Sequence, residues 1–171
     1  MMSFSFRALA APALAAAWLV CGPAQAHVGL EWPAAFAGSS YKASFRITHG
    51  CGTSPTKQVV VEVPAGVQGA RPMPKPGWTV QVERAPLTRI TWSARSAEDM
   101  LAAEHFDEFT LLATLPAGEG KLYWPVRQVC AEGRLDWVQL PTPGQDPATL
   151  KAPAPMLELL PTATGDGHHG H

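Results

Sequence analysis

The stretch Ala24-Gln25-Ala26-His27 holds the residues with the most chemistry to offer. A basic start at Arg7, an apolar run from Ala8 to Val20 and a small-x-small end at Ala26 read as a secretory leader with its cleavage site. A cut after Ala26 makes His27 the first residue of the mature chain. Its α-amine and its ring Nδ1 can then close one chelate ring on a single metal ion. Nitrogen pairs of this kind suit Cu(II), which heads the divalent affinity order and accepts square arrangements. Some residue follows every cleavage site, so a histidine there can also be incidental. The other residues have to decide.

An oxygen donor is the next requirement. The densest polar patch is Glu104-His105-Phe106-Asp107-Glu108-Phe109, at the entrance to an apolar strand where side chains can be aimed. Glu108 alternates with Phe109 and so faces away from the apolar row. Read blandly, these carboxylates are solvated loop residues, as most acidic clusters are. Trp32, Trp78, Trp124 and Trp137 read first as core. One of them placed against a metal would shield it and offer an indole N–H. Other chemistry is nearly absent from the sequence. No Gly-x-Ser-x-Gly elbow and no phosphate-cradling glycine loop occurs, so no catalytic residue is expected. His49 and His105 share no metal-binding spacing with each other or with His27, and a zinc hydrolase would want more ligands.

Cys21 leaves with the leader, and Val20 before it is not the small residue that a lipidated cysteine needs. Cys51 and Cys130 stay behind. In an oxidising compartment an isolated pair is most simply a disulfide, closing a loop of about 80 residues worth roughly 4–5 kcal/mol in the chain-entropy model. A two-thiolate metal site is the rival reading, and the lack of any C-x-x-C pair weighs against it.

The framework around these residues reads as β-sheet. The chain has 171 residues and a formal charge of −1, which becomes −2 once Arg7 is removed. That balance gives nucleic acid nothing to recognise. No second apolar stretch reaches the ~20 residues needed to span a bilayer. Pro 17 and Gly 15 fall between short apolar runs. Period-two alternation recurs at Tyr41–Thr48, Val59–Val63, Trp78–Glu83, Ile90–Trp92, Phe109–Leu115, Leu122–Val126 and Leu135–Gln139. The pattern predicts an all-β immunoglobulin- or fibronectin-III-like sandwich of about seven to nine strands. A short helical turn is expected within Arg95–Ala103. The expected organisation is a leader over 1–26, a sandwich over 27–145, and a largely disordered Pro/Ala-rich and His-rich tail over 146–171.

Several of these residues also occur as a series. His27-Val28, His49-Gly50-Cys51-Gly52 with Thr56, Pro74-Lys75-Pro76-Gly77-Trp78, Phe106-Asp107-Glu108-Phe109 and Asp136-Trp137 together resemble the YcnI-like family, in that order and over His27 to about Leu140. The resemblance implies an exported immunoglobulin-like sandwich that binds Cu(II) through a mono-histidine brace. Carried over residue by residue, it makes His27 the amine and imidazole ligand, Glu108 the oxygen ligand and Trp137 a neighbour of the metal. A second cysteine near position 130 in relatives supports the Cys51–Cys130 disulfide. Some relatives carry a C-terminal membrane anchor or an added chaperone domain, and neither is expected from this sequence. Its tail residues His168, His169 and His171 have no fixed counterpart, and are read as a second, weaker copper site or a flexible end.

The expectation is a periplasmic Cu(II) carrier or chaperone for copper homeostasis, working beside other copper-handling or copper-import proteins. Two alternatives stand beside it. One is a copper oxidoreductase, which would need His49 or His105 at the metal. The other is an immunoglobulin-like interaction module that binds no metal.

Overall fold

The structure, a computed structural model, describes residues 27–162. The expected leader over 1–26, with Cys21, and the tail residues His168, His169 and His171 lie outside the described residues. Twelve strands form the framework. In chain order they are β1 (Gly29–Leu30), β2 (Ala34–Phe36), β3 (Ser40–Ile47), β4 (Thr56–Glu62), β5 (Gln68–Pro72) and β6 (Trp78–Glu83). The rest are β7 (Arg89–Ala94), β8 (Asp107–Thr114), β9 (Gly120–Tyr123), β10 (Val126–Cys130), β11 (Arg134–Trp137) and β12 (Met156–Leu160). One sheet has the order β1-β3-β8-β5, the facing sheet β11-β10-β4-β7-β6, and a small third sheet β2-β12-β9.

Alternation decides which side chains face inward. On β3, Tyr41, Ala43, Phe45 and Ile47 are buried, while Lys42 and Arg46 reach solvent. Their partners on β8 are Phe109, Leu111 and Ala113, and the facing sheet supplies Val59, Val61, Ile90, Trp92 and Val126. Rings interlock edge to face across this layer. Trp92 and Trp78 both meet Phe109, at 5.9 and 4.9 Å between centroids, and Phe45 meets Trp124 at 5.6 Å. Such pairs add about 0.5–1.5 kcal/mol beyond their buried area.

The all-β sandwich is as expected, but it has more strands than seven to nine. β1, β2 and β5 are short pieces whose alternation is too brief to read. The run expected as one strand over Leu122–Val126 is split into β9 and β10. Pro125 has no N–H to continue a ladder, and Trp124 between the two strands is fully buried. No helix forms within Arg95–Ala103; among the described residues the helical element is a single 3-10 turn at Pro147–Thr149. The domain boundary expected at 145 is also displaced. Met156–Leu160 runs parallel to β2 and antiparallel to β9, with Leu157 and Leu159 in the core and Glu158 outside. Period two is present there, hidden between Pro155 and Pro161.

Tyr41 offers a pH test of this packing. Its hydroxyl donates to the Trp32 carbonyl at 2.6 Å, and burial, with a smaller contribution from the Glu31 charge, pushes its pKa up to about 12. The neutral phenol is therefore the folded form. Its contribution is whole below pH 10 and is lost as pH rises toward about 12. Thermal melts of the wild type should fall across that window more steeply than melts of Tyr41→Phe. Parallel curves would contradict this account.

Candidate metal centre

His27 sits two residues ahead of Gly29, and the residues after it hold it in place. Val28 and Leu30 are buried, and Gly29 and Leu30 pair with Arg46 and Phe45. The His27 ring meets Trp137 at 5.3 Å between centroids, tilted 60°. Trp137 belongs to β11, the edge strand of the facing sheet, opposite Val126. The contact therefore bridges one edge of each sheet. Trp137 is 6% exposed, and its Nε1 is buried without a hydrogen-bond partner. An unmet buried N–H costs about 1–3 kcal/mol, so this indole is an orphaned donor beside the imidazole. It fits a site where an oxygen bound to a metal would accept from it.

Glu108 stands two strands in from β1. The register aligns Gly29 with Arg46 and Arg46 with Glu108, so the three form a row across β1, β3 and β8. Two strand spacings put the Glu108 backbone about 10 Å from that of Gly29. The carboxylate faces the outer side, away from Phe109. Its Oε2 accepts from Ser44 Oγ at 2.7 Å, and its Oε1 lies 3.8 Å from Arg46 Nε. Ser44 Oγ also lies 3.0 Å from Thr110 Oγ1.

The backbone beneath Glu108 is fastened by Lys75. The Lys75 ammonium pairs with Asp107 at 2.6 Å, donates to the Glu108 carbonyl at 3.3 Å and lies 4.9 Å over the Phe109 ring. Asp107 in turn accepts from the Glu108 N–H at 2.7 Å. Lys75 is presented by the turn Pro74-Lys75-Pro76-Gly77-Trp78. Gly77 has φ 76° there, and a Cβ would meet Asp99 Oδ1 at 2.5 Å. Two of the sequence motifs are thus one device that fixes the start of β8.

Among the described residues, no three or more His, Cys, Asp or Glu side chains gather as a metal-holding group, and no ion pair joins His27 to Glu108. The structure brings His27 and Trp137 together. It holds Glu108 on the neighbouring outer face, engaged by Ser44 and Arg46. In the full-length chain the His27 α-nitrogen is a peptide nitrogen, and a cut after Ala26 would make it an amine. His105 is exposed in the turn before β8. His49 Nδ1 is hydrogen-bonded to the Gly50 carbonyl, and the His49 carbonyl accepts from Gln128 Nε2 at 2.6 Å. Cys51 and Cys130 form the expected disulfide. That pairing excludes the two-thiolate reading.

On its other side His27 borders an apolar groove of about 310 Å³, with Leu30, Tyr123, Pro153, Pro155 and Met156 in its walls. No carboxylate lines that groove, so a carboxylate ligand for His27 has to come from elsewhere. Asp136, beside Trp137, keeps Oδ2 on Arg134 Nε at 3.1 Å while its Oδ1 is buried without a partner. In the sequence Lys75 and Asp136 stand in motifs without a visible role, and Ser44 and Arg46 carry no mark of the site at all. The alternation on β3 marked Arg46 as wet, but its neighbour lies 62 positions away across a strand pairing.

Among the described residues no helix is long and apolar enough to cross a membrane. The family model described as "Domain of unknown function (DUF1775)" matches residues 27–159. A solved structure of an uncharacterized protein from Nocardia farcinica, described as having an immunoglobulin-like fold, is 28% identical. The likeness covers 78% of this chain and 97% of that one, with a TM-score of 0.67. A cohesin–dockerin complex from Clostridium thermocellum contributes a chain 10% identical, with coverage of 78% and 98% and a TM-score of 0.44. The seventh ScaB type I cohesin from Pseudobacteroides cellulosolvens is also 10% identical, with coverage of 84% and 97% and a TM-score of 0.46. These two likenesses carry no argument about function. No curated protein matches the chain.

Proposed function

The chain belongs to the DUF1775 family, which is the YcnI family, and we propose that it is an exported carrier of Cu(II). The reading is supported most by the His27–Trp137 contact, where a buried indole N–H without a partner stands 5.3 Å, ring to ring, from the imidazole of the prospective first residue. The leader over 1–26 would deliver the chain to the periplasm and expose the His27 amine. Copper is cargo in this reading. His27 supplies two nitrogens, Glu108 supplies one oxygen through its Oε1, and Trp137 screens one side. The coordination plane keeps room for water or for a ligand from a receiving copper protein.

This donor set is nitrogen and oxygen, which suits Cu(II) better than Cu(I). Reduction therefore loosens the cargo and favours transfer to a softer site. Carriage fits these donors better than oxygen chemistry, which would need a second histidine at the metal.

The test uses the mature chain from His27, with His168, His169 and His171 replaced by Ala so that the tail does not compete. One Cu(II) per chain is expected, with tryptophan fluorescence quenched and the quenching largely lost in Trp137→Phe. Glu108→Gln should weaken binding by about tenfold and change the electron paramagnetic resonance spectrum. Should Asp136→Asn change the spectrum and Glu108→Gln leave it alone, the oxygen ligand is Asp136. If neither variant changes it, the brace with a carboxylate is wrong.

A further inference from the structure

We propose that Arg46 competes with the metal for the Glu108 carboxylate and thereby sets how readily the cargo leaves. This rests on the Cu(II) reading and adds a device for its release. β3 lies between β1 and β8, and Arg46 is the residue of β3 that pairs with Gly29 on one side and Glu108 on the other. Arg46 thus stands beside Glu108 on the strand that separates β8 from the N-terminal strand.

The two carboxylate oxygens of Glu108 are held differently. Oε2 is tied to Ser44 Oγ at 2.7 Å. Oε1 faces the Arg46 guanidinium at 3.8 Å, an ion pair without a hydrogen bond. Half of the Arg46 side chain is exposed, so it can swing aside. A dication on Oε1 and a guanidinium at the same oxygen repel each other, so each weakens the hold of the other. Loading therefore loosens Arg46. On release Arg46 closes on the carboxylate again.

The other cations nearby behave differently. Lys75 is 16% exposed, and its contacts are to Asp107 and to the Glu108 carbonyl, so it stays in both states. Lys42 shares the outer face of β3 but is paired with Glu31 at 3.7 Å. It serves as a control for charge acting at a distance.

The experiment is a Cu(II) titration against a competing chelator, on the mature full-length chain with the three tail histidines replaced by Ala. Arg46→Gln is expected to bind about two- to fivefold more tightly than the wild type, the range a half-exposed ion pair allows. Arg46→Lys and Lys42→Gln should stay within about twofold. The gain from Arg46→Gln should vanish when Glu108→Gln is also present. Binding no tighter in Arg46→Gln, or a gain that persists without the Glu108 carboxylate, overturns the proposal. A wild type that takes up no Cu(II) brings down the carrier reading and this inference together; uptake with no Arg46 effect brings down the inference alone.

Discussion

An acetyl group added to the His27 amine is expected to cost the mature chain about a hundredfold in Cu(II) affinity, roughly 2.8 kcal/mol. The acetyl group turns the amine into an amide nitrogen, which does not bind the metal until it loses its proton. The chelate ring opens and a single imidazole is left. Nothing else in the fold has to change. The ring still meets Trp137, and Val28 and Leu30 still anchor the strand. Thermal stability should therefore match the wild type while a chelator-competition titration separates the two. Acidification should weaken the wild type as well, because both nitrogens must be free of protons to bind. Equal affinity with and without the acetyl group would remove the α-nitrogen from the site.

Removing the disulfide is expected to lower stability by about 4–5 kcal/mol in the chain-entropy model. Cys51 and Cys130 are 79 residues apart, with Cα atoms at 6.0 Å. The bond ties the turn after β3 in one sheet to the end of β10 in the facing sheet. That is a large share of the roughly 5–15 kcal/mol that holds a domain of this size. Cys130 is 1% exposed, so alanine is the better replacement at both positions. Urea denaturation of Cys51→Ala/Cys130→Ala should show a strongly lowered midpoint, and an unmoved midpoint would contradict the estimate. The loss should also reach the candidate site. The turn carrying Cys51 includes Gly50, where a Cβ would overlap the Ser54 carbonyl and crowd Ala103. That close packing leads into the segment before β8.

The long strands of the two main sheets were legible because each has one wet face. Tyr41–Ile47, Val59–Val61, Trp78–Val82 and Phe109–Ala113 alternate over enough residues for period two to stand out. β12 was missed because Leu157 and Leu159 offer only two core positions between prolines. The split at Trp124-Pro125 depends on a missing N–H, which hydrophobicity alone does not register. At the site, His27 could be found because a cleavage motif is local. Glu108 could be placed on an outward face by alternation with Phe109. Ser44, Arg46 and Lys75 could not be assigned to it, because strand pairing brings them there from 33 to 64 positions away. Trp137 was named through a family resemblance; what joins it to His27 is the meeting of two sheet edges, which no local pattern encodes.

Pulsed electron paramagnetic resonance of the mature chain loaded with one Cu(II), with the tail histidines replaced by Ala, tests the central claim most directly. The account predicts nitrogen couplings from one imidazole and one amine, the amine coupling vanishing when an acetyl group is added to the His27 amine. Couplings from imidazole nitrogens alone, unchanged by that addition, would contradict it.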